Sequence, residues 1–319
     1  MLTINDILHA QHRIAPYLRP SPLVHSPALS ERTGADVWLK LESRQPTGSF
    51  KVRGALNAAS LLPDRTQPVV TASAGNHGLG VALATQMLGL QDVTIFVPES
   101  APASKVRRLR RFPVRLRQAG QSYAAAHEAA VAFAEETQGF YLEAYDDPVV
   151  IAGQGTATLE VLTELPAVEL LLVPVGGGGL IAGATVVTAC LAPNVRVIGV
   201  QPSASPAALL SLERGEAIDP YDHEPTLADG LAGGFGRVPF AIAHDKIERI
   251  LLADELSIRR AIFTLIDEEQ LVVEASGAIA ITPLLDGQLD VRGRTVVALL
   301  SGANVDSRVL RAILDEFAG

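Results

Sequence analysis

The run Pro46-Thr47-Gly48-Ser49-Phe50-Lys51 places a lysine just past a glycine turn, ahead of the helix-forming stretch Ala55-Leu56-Asn57-Ala58-Ala59. An ammonium crowded by backbone and apolar groups loses hydration. Its pKa falls, and the free amine becomes a nucleophile toward an aldehyde. Most lysines are solvated surface groups, so this reading of Lys51 depends on what accompanies it.

Three further segments share one design, a strand-like run followed by a small-residue turn. Leu170 to Val175 is continuously apolar, as a strand buried on both faces should be, and it runs into Gly176, Gly177, Gly178, Gly179 and Leu180 at the head of an apolar helix. Successive glycine amides can close around an anion, and a helix N-terminus adds its positive dipole end. No Lys or Arg occurs between Val173 and Asn194, so amides would carry any phosphate held there. The segment lacks the Gly-Lys-Ser/Thr ending of a nucleotide loop and is not GxGxxG. A tight turn is the plain alternative, but four glycines exceed what a turn requires. After Pro68-Val69-Val70 comes Thr71-Ala72-Ser73-Ala74-Gly75-Asn76-His77-Gly78. There Ser73 and the amides around Asn76 and His77 either cap the next helix or receive a carboxylate. The third segment is Leu299-Leu300-Ser301-Gly302-Ala303-Asn304, where Ser301 alone would be read as a cap.

In this order and spacing the segments resemble the fold-type II pyridoxal-phosphate enzymes, in the threonine dehydratase and serine racemase branch. Asp147-Pro148-Val149-Val150-Ile151-Ala152-Gly153-Gln154-Gly155-Thr156, Thr226-Leu227-Ala228-Asp229-Gly230 and Glu274-Ala275-Ser276-Gly277 extend the match over nearly the whole chain. The resemblance implies pyridoxal 5'-phosphate bound to Lys51 as a Schiff base, with Phe50 beside it and Asn76 on the ring hydroxyl. It further implies Gly176 to Leu180 around the phosphate and Ser301 on the pyridine nitrogen. Ser73, Ala74, Gly75, Asn76 and His77 match the loop that receives the substrate carboxylate. A serine hydroxyl protonates the ring less readily than a carboxylate would, which suits prompt β-elimination better than transamination. Lys51, once freed, would take the α-proton. The β-hydroxyl would leave with a proton from the cofactor phosphate, giving a 2-oxo acid and ammonia.

Several positions depart from the family pattern. Racemases of this branch carry a serine where Ala74 stands, and alanine has no proton for the opposite face, so elimination is favoured over racemisation. Gln201 to Ala207, at the family's cation position, contains no carboxylate, so no magnesium is expected there. Ala144 and Ala275 replace common prolines, and Leu231 to Gly236 is unusually glycine-rich. Both features lie where substrate side chains are sensed, leaving L-threonine, L-serine, 3-hydroxyaspartate and other β-hydroxy amino acids open. The weaker alternatives are a racemase, a β-replacement synthase and a non-catalytic cofactor-binding protein.

Along the chain, strand-like runs alternate with alanine-rich helical stretches. Such alternation implies α/β layers with mostly parallel strands. By resemblance these form two open twisted sheets flanked by helices, a tryptophan synthase beta-like architecture. Residues 68–146 would be a small mobile domain, and 1–67 with 147–319 the large cofactor-binding domain. At 319 residues and 48% apolar content two cores can be filled. The chain ends soon after the serine motif, so a C-terminal regulatory domain is not expected. Net charge is −9, which opposes nucleic-acid binding. Lys105, Arg107, Arg108, Arg110, Arg111, Arg115 and Arg117 cluster locally and read as a solvated face. No membrane span or signal peptide is evident, and the single Cys190 reads as a buried thiol of a reducing cytosol. A cytoplasmic homodimer is expected from the resemblance.

Overall fold

The computed structural model describes residues 2–317. Ten strands form two sheets: β1 (Leu23–His25), β2 (Asp36–Lys40), β3 (Val69–Ala72), β4 (Val93–Val97), β5 (Arg115–Gln118), β6 (Phe140–Tyr141), β7 (Leu170–Pro174), β8 (Arg196–Pro202), β9 (Arg249–Ala253) and β10 (Thr295–Leu299). The larger sheet runs β1-β2-β10-β7-β8-β9 and the smaller runs β5-β4-β3-β6. Every pairing is parallel except β1 with β2. All residues of β4 and β7 are buried, which is why these strands read as unbroken apolar runs, with helices covering both faces.

Register decides where the chemistry can sit. Leu299 of β10 lies opposite Lys40 of β2, so the turns leading to Ser301 and Lys51 leave the sheet edge side by side. They then pair with each other: Ser49 bridges Gly302, Phe50 N donates to Ser301 O at 3.1 Å and Ala303 N to Gly48 O at 2.8 Å. The glycine loop follows β7 and the Ser73 loop follows β3. All four segments therefore emerge from carboxyl ends of parallel strands, the usual crevice of open α/β sheets.

The helix Lys51–Ser60 joins the two sheets. Its Val52, Ala55 and Leu56 pack in one core with Val69, Ile95 and Leu109 of the smaller sheet's layer, while its leading turn is pinned to the larger sheet. Beneath it lies a dry ionic network. Arg53 is fully buried and donates to Glu42 (2.8 and 2.8 Å), Glu160 (2.6 and 2.7 Å) and Thr156 (3.0 Å). Lys40 Nζ adds bonds to Glu160 at 2.6 Å and Ser21 O at 2.7 Å. Two cations against two carboxylates, each multiply hydrogen-bonded, satisfy the conditions under which buried charge is tolerated.

Some sequence expectations shift. The helix begins at Lys51 rather than Ala55, because its first turn carries Lys51, Arg53 and Gly54 around the apolar Val52. Cys190 is exposed, a correction to the buried reading. It lies past Thr188, where the buried stretch of its helix stops. The basic cluster is partly engaged: Arg115 pairs with Asp92, Lys105 with Asp229, and Arg117 sits 4.1 Å over the Phe133 ring.

Candidate active site

Lys51 is the first residue of its helix, with Phe50 at the N-cap. Its amine donates to Ala144 O at 2.9 Å and lies 5.3 Å from the Phe50 ring centre. Burial lowers its pKa from the ordinary lysine value to about 8. A carboxylate partner would have pulled the value back up, but a backbone carbonyl holds the amine without doing so.

Opposite Lys51, the helix Gly179–Leu191 begins at the tetraglycine. Gly178 has φ +94°, a conformation closed to most side chains. A Cβ on Gly177 would sit 2.3 Å from the Tyr145 ring. Among the described residues, no group accepts a hydrogen bond from the N–H of Gly177, Gly178, Gly179 or Leu180. Those donors lie at the positive end of a thirteen-residue helix, which makes the loop a candidate anion cradle. The Tyr145 hydroxyl donates to Asp219 at 2.9 Å, fixing the ring over the loop. Glu143, on the other side of Ala144, is half-buried, and burial followed by the charge of Asp146 raises it to about 7.

A second helix start, Asn76–Leu88, approaches Lys51 from the smaller sheet. The approach is close enough that a Cβ on Gly80 would lie 3.0 Å from the Lys51 carbonyl carbon. Ser73 Oγ accepts from Gly75 N at 3.1 Å, tightening the turn. Among the described residues, the N–H groups of Asn76, His77 and Gly78 also have no acceptor. The His77 ring turns away into the core, with Nε2 3.0 Å from Thr71 Oγ1 and 3.1 Å from Leu142 O. Burial, with Lys51 nearby, lowers it to about 3, so it is neutral, and only its backbone faces the loop. Ala74 flanks this turn with a methyl group.

On the larger sheet's side, Ser301 is buried and donates to Ser276 O at 3.1 Å. Asn76 bridges the two sides. Its Nδ2 donates to Glu274 Oε1 at 2.5 Å, and its Oδ1 accepts from Asn304 Nδ2 at 2.7 Å. Burial raises the Glu274 carboxyl to about 7. Neither Glu274 nor Asn304 stood out by residue type in the sequence. The signal available was their place inside the two small-residue motifs around Ser276 and Ser301. Ala144, which meets the lysine through its backbone, has no side-chain signature.

The arrangement thus offers a lysine of lowered pKa between two amide-lined helix starts, one suited to a phosphate and one to a carboxylate. A family model described as pyridoxal-phosphate dependent enzyme matches residues 14–302. The chain belongs to that family. It is 40% identical to an L-threonine ammonia-lyase of Thermotoga maritima, across 99% of this chain and 79% of that one. It is 38% identical to a catabolic L-threonine dehydratase of Escherichia coli, across 97% and 95%. Among solved structures, the processed threonine deaminase isoform 2 of Solanum lycopersicum superimposes with TM-score 0.92 at 33% identity, covering 99% and 92%. Maize serine racemase gives TM-score 0.92 at 29% identity, covering 99% and 98%. The cofactor is pyridoxal 5'-phosphate, the fold is fold-type II, and the enzyme is a lyase of the dehydratase kind. The unpartnered amides of the tetraglycine and the lowered amine fit that cofactor on the structure's own terms. No helix among the described residues is long and apolar enough to cross a membrane.

Proposed function

We propose that this enzyme converts a β-hydroxy amino acid, L-threonine or L-serine, to a 2-oxo acid and ammonia. The observation that carries the reading is Lys51: an amine lowered to about 8 and facing two separate amide-lined anion sites. Pyridoxal phosphate, when bound, supplies an aldehyde for the amine and a ring that withdraws electrons from the substrate's Cα. The amides of Gly177 to Leu180 would hold its phosphate, and Ser301 would serve its ring nitrogen. The start of the Asn76 helix, with Ser73, fixes the substrate carboxylate, which orients the α-proton toward Lys51. Because burial disfavours the ammonium form, the released Lys51 amine is able to take that proton near neutral pH. Overall the α-proton and the β-hydroxyl would depart together as water, and the enamine left behind would hydrolyse through its imine to the 2-oxo acid and ammonia.

Ala74 supports elimination over racemisation, because the face opposite Lys51 meets a methyl group with no proton to give. Glu143, Asp146 and Asp219 gather beside Ala144 and Tyr145. Their charge weighs against 3-hydroxyaspartate, whose second carboxylate needs a cation. In this reading residues 68–146, which contain the whole smaller sheet, form the small domain and the rest the large one. The protein works as a cytoplasmic homodimer, as the family resemblance implies. The test is a panel of both enantiomers of threonine, serine and 3-hydroxyaspartate, scored together for 2-oxo acid and for inverted substrate. Oxo acid from L-threonine or L-serine, abolished in Lys51→Ala, is expected. Inversion without oxo acid would favour a racemase, and neither product would end the reading.

A further inference from the structure

Asn76 can do its work at the ring only if its carboxamide presents the N–H end, and a carboxamide on its own has no preference between its two ends. The orientation is set by the partners of two carboxamides, and one of those partners comes from outside the site. Arg108, on the helix Ala103–Leu109, donates from Nη1 to Asn304 Oδ1 at 3.0 Å and from Nη2 to Val305 O at 3.2 Å. A guanidinium has donors and no acceptor, so the oxygen of Asn304 must face Arg108. Its amide nitrogen must then face inward, where it donates to Thr47 O at 2.7 Å and to Asn76 Oδ1 at 2.7 Å. With its oxygen so engaged, Asn76 turns its amide nitrogen to Glu274, using one N–H at 2.5 Å and leaving the other free. Every polar atom of the Asn304 side chain is committed. The three segments it ties are the turn before Lys51, the carboxylate loop and the basic helix.

We propose that Asn304 is a positioning residue for Asn76, and that Arg108 fixes its polarity when the smaller sheet's layer packs against the turn after β10. This rests on the reading above in which Asn76 meets the cofactor ring. Arg108 thereby leaves the solvated basic face to which its sequence neighbours belong. It borders a cavity of about 710 Å3 together with Lys105, Glu274 and Arg308, so it can be exchanged without disturbing a close-packed interior.

The experiment compares the holoenzyme with Arg108→Met, Arg108→Lys, Asn304→Ala and the exposed neighbour Arg107→Met. It measures the visible absorption of the Lys51-linked cofactor and kcat and KM for L-threonine. Arg108→Met removes a charged donor, a stronger kind of hydrogen bond than a neutral one, and is expected to lower kcat about tenfold or more. It should also redistribute the cofactor's absorption bands, because the ring hydroxyl loses a fixed donor. Arg108→Lys should recover part of both effects and Arg107→Met should change neither. Asn304→Ala should match or exceed Arg108→Met; if it does not fold, the Arg108 variants decide. An unchanged spectrum and kcat in Arg108→Met overturn the proposal, as does an equal effect from Arg107→Met, which would indicate lost surface charge. A parent enzyme without any Lys51-linked absorption would instead sink the functional reading itself.

Discussion

Replacing Arg53 by methionine tests whether the ionic network under the catalytic helix holds the fold together or merely occupies it. Arg53 is fully buried and donates to two carboxylates, Glu42 and Glu160, of which Glu42 is also fully buried. Without it, Lys40 alone faces two negative charges, and the dry interior carries an uncompensated carboxylate. Breaking a buried pair in this way costs about 3–5 kcal/mol, a large share of the roughly 5–15 kcal/mol that stabilises a domain. With about 2 cal/mol/K of unfolding entropy per residue, 319 residues give about 0.7 kcal/mol per degree, so the thermal midpoint should fall by about 4–7 °C. Adding Glu42→Gln removes the stranded charge. The double variant should therefore recover at least about 1 kcal/mol of the loss, the scale expected of directly contacting residues. Thermal and denaturant unfolding of the apoenzyme, followed by far-ultraviolet circular dichroism, measure both quantities. An Arg53→Met midpoint within about 1 °C of the parent would refute the reasoning. So would a double variant no more stable than the single one, since the cost would then lie in packing and not in charge.

Two further outcomes follow from the site. With a pKa of about 8, Lys51 should be about one-tenth neutral at pH 7, against about one part in three thousand for an ordinary lysine. The rate at which apoenzyme captures pyridoxal phosphate should therefore rise with pH and level off just above pH 8, as stopped-flow absorbance would record. A rise continuing past pH 10 would contradict it, since burial disfavours the charged form and can only lower a lysine's pKa. Gly177→Ala should weaken cofactor binding at least tenfold, because the new Cβ would meet the Tyr145 ring at 2.3 Å. Equilibrium dialysis of the cofactor against Gly177→Ala and Gly177→Ala/Tyr145→Ala reads the effect, and equal binding in all three proteins would show that the loop opens freely.

Much of this architecture is legible in the sequence for identifiable reasons. The strand Leu170–Pro174 is buried on both faces, so nothing polar interrupts its apolar run. The helix Tyr123–Glu136 opens at Ser122, whose side chain accepts from Ala125 N, a cap that can be read in advance. The glycine loop announces itself because four successive glycines leave its backbone amides uncovered. Other parts leave little local trace. Arg53 and Glu160 are 107 positions apart, and each alone looks like a surface charge. Arg108 resembles Arg107 in every local respect. Only the packing of one layer against another gives it a carboxamide to orient. The His77 ring points into the core because Thr71 and Leu142 offer it partners there, a preference set by the neighbouring strand and not by its own turn.

The charge distribution of the site follows one rule. In the proposed function both anions, a phosphate and a carboxylate, would be met by amides at the ends of helices, where the field is fixed and no side-chain cation is required. Lys51 would thereby be left as the one side-chain cation that the proposed chemistry uses. Had an arginine lined the glycine loop, its charge would have lowered the amine further. A carboxylate within about 4–6 Å would have raised it back toward the range of a surface lysine. Among the described residues the structure leaves burial as the cause that lowers the amine. It places the Ala144 carbonyl at 2.9 Å, which orients the amine for attack while leaving burial to set its proton affinity. Glu143 stands one residue away, and burial has already shifted it toward its neutral form. A carboxyl near the lysine thus gives up part of the charge that would raise the lysine's proton affinity.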